Sequence, residues 1–347
     1  MVTKKNRKYI IFAIIASSVL FTSLSYYLYQ AFYTPNTLVE QEEVTYLLIP
    51  KEATFRQISD NLYQNHIVQD MVSFSFVAKL MDYQENIKPG RYEIRPGMSN
   101  TELVRALRSG RQTPLNITFN NIRTKEDLAE KITTKLEIPQ EAFYSLLTDS
   151  TYIDKFGFGN ETILSMFIPN TYEVFWNTSA VELFDRMYKE YARFWNDARK
   201  EKAAALGLDP KEVSTLASIV QAETVMADER PKVAGVYLNR LQINMPLQAD
   251  PTLVFALGDF SIKRVLNVHK EIESPYNTYK NAGLPPGPIN LPEISAIDAV
   301  LNYQDHDYLY FCAKEDFSGY HSFATNLRDH LNNARRYSNA LNAAGIY

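Results

Sequence analysis

From Tyr9 to Phe32 the chain carries no charged residue and is rich in Ile, Leu, Val, Phe and Ala. No other feature restricts its fold so much. A bilayer core takes about 20 residues of helix to cross, and this run supplies that length even though Ser17, Ser18, Thr22, Ser23 and Ser25 dilute it. Tyr26, Tyr27 and Tyr29 then read as an interfacial belt. A cleavable signal peptide is the rival. Its apolar part spans about 7 to 15 residues and ends at small side chains, whereas Tyr, Gln and Phe close this run. No Cys stands at the end of the segment, which excludes a lipoprotein anchor. Lys4, Lys5, Arg7 and Lys8 precede the run, and Glu40, Glu42 and Glu43 follow it. This asymmetry predicts a cytoplasmic N-terminus (residues 1–8), a transmembrane helix (9–32) and everything from about Thr34 onward outside the cytoplasmic membrane.

With 347 residues there is room for an anchor and at least two modules, since single cores stop growing near about 250 to 300 residues. The composition, 46% hydrophobic and 13% aromatic, supports packed cores and argues against disorder. Charge is nearly balanced, 36 Lys and Arg against 40 Asp and Glu, with no long basic run beyond the extreme N-terminus, so no nucleic-acid partner is expected. Cys312 is the one cysteine, so no intramolecular disulfide can form. The five His residues are scattered without zinc-ligand spacing, and neither a metal nor a cofactor is expected.

Residues 33–43 read as a short polar stalk. A weak repeat follows within 44–114. Ile49-Pro50 through Thr54 leads into Ile58 and Leu62 at helical spacing, and Ile94-Arg95-Pro96-Gly97-Met98-Ser99 leads likewise into Leu103, Val104 and Leu107. Each copy predicts a strand, a tight turn and a short helix, a unit that resembles a LysM-like module. Sugar binding and a plain spacer both remain open for it. Residues 115–347 form the larger region, with a strand at Leu115 to Phe119, a helix from Lys125 to Leu136, and one long helix from about Ala180 to Lys202. Phe167 to Tyr172 is an aromatic turn facing a groove or a core. The exported region as a whole is expected to be α+β.

Asp209-Pro210-Lys211-Glu212 begins a helix, with a capping acid, Pro at the first position and Glu at the third. Val213, Leu216, Ala217 and Val220 step along one side, and the same step reaches Glu223. An acid on an apolar stripe, near a helix C-terminus, is pushed toward its protonated form by desolvation and by the helix dipole. A protonated Glu at neutral pH is what a general acid for glycoside cleavage requires. The alternative is a structural Glu paired with Arg230 or Arg240.

Leu216-Ala217-Ser218-Ile219-Val220-Gln221-Ala222-Glu223-Thr224 resembles the signature of the YceG-like (MltG-type) endolytic murein transglycosylases. The likeness continues through Arg230 to Leu241, Met245 to Thr252, Ser274 to Tyr279, Gly283 to Ile289 and His321-x-Phe323-x-x-Asn326, and covers essentially the whole chain. Many members of that family have Glu where this chain has Gln221, which leaves Glu223 as the one acid of the motif. The resemblance implies a single catalytic Glu that protonates the bond between N-acetylmuramic acid and N-acetylglucosamine, then takes the proton of the muramic C6 hydroxyl. That yields 1,6-anhydro ends in nascent glycan strands, near the membrane and near the peptidoglycan synthases.

Substrate-contact candidates are Gln248 and Asp250, the block Tyr276, Asn277, Thr278 and Tyr279, Leu284 and Pro285 of the Pro-rich loop, and Asn326. Each has a bland reading beside it. Asp250-Pro251 also suits a helix start, Tyr276 to Tyr279 a strand with a polar face, and Gly283 to Pro288 a tight connector. Asp250 as a second carboxylate would indicate a lysozyme-like hydrolase. A noncatalytic, membrane-tethered peptidoglycan binder is the reading from a different class.

Overall fold

The computed structural model describes residues 4–39, 44–262 and 264–345, with the side chains of Lys4 and Lys5 left aside. The chain divides into two compact units, residues 1–116 with 173–178, and residues 117–172 with 179–347. Mixed helices and short antiparallel strands make both, as an α+β chain requires. The second unit takes up nearly all of the predicted larger region, but the short segment Glu173–Thr178 belongs to the first.

The first unit begins with α1 (Lys4–Tyr33), one helix long and apolar enough to span a membrane. Phe12, Leu20 and Phe21 are each more than 70% exposed along it, as side chains facing lipid would be. Then come β1 (Thr45–Ile49), α2 (Phe55–Gln64), α3 (Met71–Leu80), β2 (Gly90–Ile94) and α4 (Asn100–Ser109). Both predicted strand-to-helix units are present. Thr54 with Gln57, and Ser99 with Glu102, form reciprocal capping boxes that start α2 and α4. The two strands pair with each other, Thr45 opposite Ile94 and Ile49 opposite Gly90. One sheet therefore joins the halves of the repeat. Leu47, Ile49, Tyr92, Leu103 and Leu107 bury against Leu62, Phe74 and Val77 beneath it. The extra element is α3, whose sequence MVSFSFVAKL is apolar nearly all round and so offers little periodic contrast.

The expected stalk is not free. Asn36 is buried, donates to Asp70 O and Asn100 Oδ1, and accepts from Asp70 N. Thr37 donates to Arg95 O. Asn100 and Thr101 donate to the carbonyls of Ala31 and Phe32, which as members of the last turn of α1 have no partner within the helix. Polar residues that suggest solvent are used here to satisfy backbone. Glu40, Glu42 and Glu43 lie outside the described residues.

Continuing along the chain are β3 (Leu115–Thr118), α5 (Lys125–Thr133), α6 (Gln140–Thr148), α7 (Ser150–Asp154), β4 (Thr171–Val174), α8 (Ala180–Phe194) and α9 (Asp197–Ala205). The long helix expected over 180–202 is two. Trp195 leaves helical geometry and is buried, and Asn196 caps the next helix through Arg199 N. The aromatic turn faces a core: Phe167 packs against Phe143 and Phe184, and the buried Tyr172 donates to Ile168 O.

Last come α10 (Pro210–Glu223), α11 (Arg230–Gln242), α12 (Asp250–Leu257), α13 (Ile294–Leu301), β5 (Tyr310–Ala313), β6 (His321–Ala324) and α14 (Leu327–Ala343). α10 is the central helix. Val213, Leu216, Ala217 and Val220 pack with Val233, Tyr237, Leu247, Ile297 and Val300 of its neighbours.

Candidate active site

α10 is defined at both ends. Asp209 accepts from Lys211 N and Glu212 N, and Glu212 answers by accepting from Asp209 N, so the predicted start is met in full. At the other end Thr224 turns extended, which leaves Glu223 as the last helical residue. The apolar stripe carries Glu223 toward α11, where the buried Tyr237 donates its hydroxyl to Glu223 Oε1 at 2.7 Å. Burial raises the Glu223 carboxyl to about 7, opposed by the Tyr237 hydrogen bond, raised further by the charge of Asp250 and lowered by that of Arg240. Tyr237 itself is pushed well above its ordinary range, by burial first and then by Glu223, so it remains a donor at neutral pH.

The ion pair that a structural Glu223 would need with Arg230 or Arg240 is not formed. Arg230 pairs with Glu293 at 2.8 Å and bonds Ser295, while Arg240 donates to the carbonyls of Leu309 and Leu247. Neither guanidinium is bonded to Glu223.

The other candidates separate into three groups. Asp250 is exposed at the first position of α12, and Ala249 takes the cap position, so Asp250 does not cap through its side chain. Its carboxylate accepts instead from Tyr279 at 2.5 Å. Gln248, also exposed, sits just before it in left-handed geometry at φ 51°. Asp250 and Tyr279 both act electrostatically on Glu223 or are acted on by it.

Asn277 and Thr278 are buried and committed to scaffold. Asn277 donates to Lys270 O and Ile272 O, and Thr278 accepts from Ala249 N and bonds Thr252. Tyr276 packs on Phe255 with ring centroids 4.8 Å apart. The block is therefore a turn and not a strand, and Tyr279 of the four reaches an acid at the site. Tertiary hydrogen bonds claim the two polar members, Asn277 and Thr278.

Leu284 and Pro285 line, with Thr215 and Leu238, a cavity of about 680 Å³ beside the N-terminal half of α10. From Thr215 to Glu223 is eight residues, about 12 Å of helix. The Pro-rich loop then runs along α10. Ile289 N donates to Ser218 Oγ, Asn290 to Ser218 O, and Gln221 accepts from Glu293 N while donating to Asn290. Gln221 thus fixes that loop with both ends of its amide. Asn326 is exposed and caps α14 through Asp329 N.

Tyr237, Glu229 and His321 carry no role that the sequence alone assigns. Glu229 accepts from His321 N and pairs with His321 Nδ1 at 2.6 Å, while Thr224 bonds Glu229, so the chain directly after Glu223 is fastened to β6. Phe311 of β5 places its ring edge-on to Tyr237. Tyr237 lies fourteen residues beyond Glu223, on another helix, and no local spacing signals such a contact. Among the described residues, no group of three or more His, Cys, Asp or Glu comes together to hold a metal.

At the end of the central helix stands one carboxylic acid, bonded to Tyr237 and raised by burial to about 7. Residues 47–336 match the YceG-like family, and the chain belongs to it. It is 29% identical over 315 residues to an endolytic murein transglycosylase of Bacillus subtilis, covering 85% of each chain. It is 28% identical over 326 residues to an endolytic murein transglycosylase of Streptococcus pneumoniae strain D39, covering 84% of this chain and 58% of that relative's length. The crystal structure of a putative YceG-like protein from Listeria monocytogenes superposes with a TM-score of 0.57 at 27% identity, over 84% of this chain and 99% of that one.

Proposed function

We propose that this chain is a membrane-anchored endolytic lytic transglycosylase acting on peptidoglycan glycan strands outside the cytoplasmic membrane. The observation that carries the reading is Glu223, half-buried at the end of α10 and bonded to Tyr237, with burial pushing its carboxyl up to about 7. A carboxyl with that pKa donates a proton to a leaving oxygen and recovers one in the next step, each at little cost at neutral pH. In this scheme Glu223 protonates the oxygen joining N-acetylmuramic acid to N-acetylglucosamine. Its carboxylate then takes the C6 hydroxyl proton while that oxygen closes on C1, leaving a 1,6-anhydro end and consuming no water. Tyr237 holds the carboxylate through the exchange. The exposed Asp250 and Gln248 and the half-buried Tyr279 supply polar contacts to the strand, with Asn277 and Thr278 as their support. The names of the relatives favour this substrate. The basic residues ahead of the apolar run, in the first turns of α1, favour an outside location for the rest, close to the synthases that extend the strands.

A second reading has one observation behind it. Asp250 is an exposed carboxylate whose charge raises Glu223, and two carboxylates acting with water would make a muramidase. Product mass separates the two. The soluble fragment from about residue 35, given purified strands, should yield anhydro ends, and Asp250→Asn should reduce the rate by about tenfold or less. Ends heavier by one water, lost in Asp250→Asn, would make the enzyme a hydrolase, and intact strands would leave a binding protein.

A further inference from the structure

α3 presents a stripe that its own unit does not cover. Ser73, Phe74, Val77 and Ala78 face the core, whereas Val72, Phe76 and Leu80 are 73%, 37% and 57% exposed and recur every four residues. Lys79 lies on the same outer side. Three large apolar side chains in a row are costly to leave in water on so small a module.

The neighbour of this stripe is the end of α1. Phe32 meets Phe76 edge-on, with ring centroids 6.4 Å apart. Asn100 donates both to Ala31 O and to Ser73 Oγ, so one buried amide ties the last turn of α1 to the first turn of α3. Counted from Tyr9, a hydrocarbon core of about 30 Å is crossed in about 20 residues, near Leu28. Tyr29, Phe32 and Tyr33 then fall at headgroup depth, where aromatic rings are favoured. Phe76, in contact with Phe32, falls there too. The docked segment 34–39 allows the unit no free tether by which to rise from that depth.

We infer that α3 is an interfacial helix whose stripe Val72, Phe76 and Leu80 rests in the outer-leaflet headgroup region, with Lys79 beside the lipid phosphates. This rests on the reading of α1 as a membrane span. The stripe and the span together give the unit two membrane contacts and hold its orientation, where a lone helix would let it turn.

The test uses the full-length protein with Cys312→Ala, in vesicles of phosphatidylethanolamine and phosphatidylglycerol. A nitroxide is attached at one of Leu20→Cys, Tyr63→Cys, Val72→Cys, Phe76→Cys or Leu80→Cys, and its collisions with oxygen and with a water-soluble nickel chelate are compared. Leu20 reports the span, and Tyr63, 66% exposed on α2, reports water. The expected result is oxygen-dominated collision at Leu20, water-like behaviour at Tyr63, and a several-fold rise of the oxygen-to-nickel ratio over Tyr63 at all three α3 positions. A deep Leu20 with α3 labels as wet as Tyr63 overturns the interfacial contact, keeps the span, and leaves the stripe to a protein partner. A wet Leu20 overturns both.

Discussion

Asn100 and Glu223 are both polar side chains packed among apolar helices, and they are treated in opposite ways. Asn100, 1% exposed, donates to Ala31 O and Ser73 Oγ and accepts from Asn36, so both amide hydrogens and the amide oxygen are bonded. Glu223 is half-buried, accepts one hydrogen bond, from Tyr237, and titrates near 7. A saturated buried polar group fixes structure. One left with bonding capacity and a displaced pKa is available for chemistry.

The largest effect that sharpens this contrast is on rate. Glu223→Gln keeps shape and hydrogen-bonding capacity but cannot exchange the proton, and strand cleavage should fall by at least the 10² to 10⁴ or so that general acid-base catalysis commonly supplies. Stability should move the other way. The folded pKa of Glu223, about 7, lies above the 4.5 of an ordinary Glu carboxyl. The folded state therefore loses stability as pH rises from the unfolded pKa through the folded one. Gln does not ionise, so near neutral pH the variant should melt at the wild-type temperature or above it. A clear drop in Tm would return Glu223 to a structural role.

Asn100→Ala should show the reverse pattern. It strands Ala31 O, Ser73 Oγ and Asn36, and leaving buried polar groups unpaired costs about 1 to 3 kcal/mol. Tm measured in detergent should drop, while cleavage of short strands per folded molecule stays as it was. Loss of turnover with an unchanged Tm would break the contrast from the other side.

How much of this was legible depended on range. The stripe Val213, Leu216, Ala217, Val220 and Glu223 is written in one helical period, so the acid's place could be read directly. Asp209 is a short-range capping signal and starts its helix as expected, and Thr54, Ser99 and Ser179 start theirs by the same short-range device. Tyr237 could not be found, because its contact exists only once α10 packs on α11. Asn36, Asn277 and Thr278 misled for the same reason, since polar side chains used up by distant backbone look the same in sequence as ones facing water or sugar. Leu284 and Pro285 belong to a loop that does follow α10, but they line a cavity beside its N-terminal half, with Glu212 and Thr215.

A smaller effect isolates the Tyr237 hydroxyl. Tyr237→Phe removes the one hydrogen bond that lowers the Glu223 pKa. A hydrogen bond to a charged group contributes about 1.5 to 3 kcal/mol, so the limb of the pH-rate profile assigned to Glu223 should move upward by about one to two units. A profile that falls in height without moving would mean that Tyr237 only packs.

The most direct test of the central claim is the ionisation of Glu223 itself. The infrared difference between wild type and Glu223→Gln, followed from pH 4 to pH 9, isolates this one carboxyl. A protonated carboxyl band that persists through pH 6 and gives way to carboxylate near pH 7 is the predicted result. A carboxyl already ionised by pH 5 would contradict it, and Glu223 would then have no proton to give.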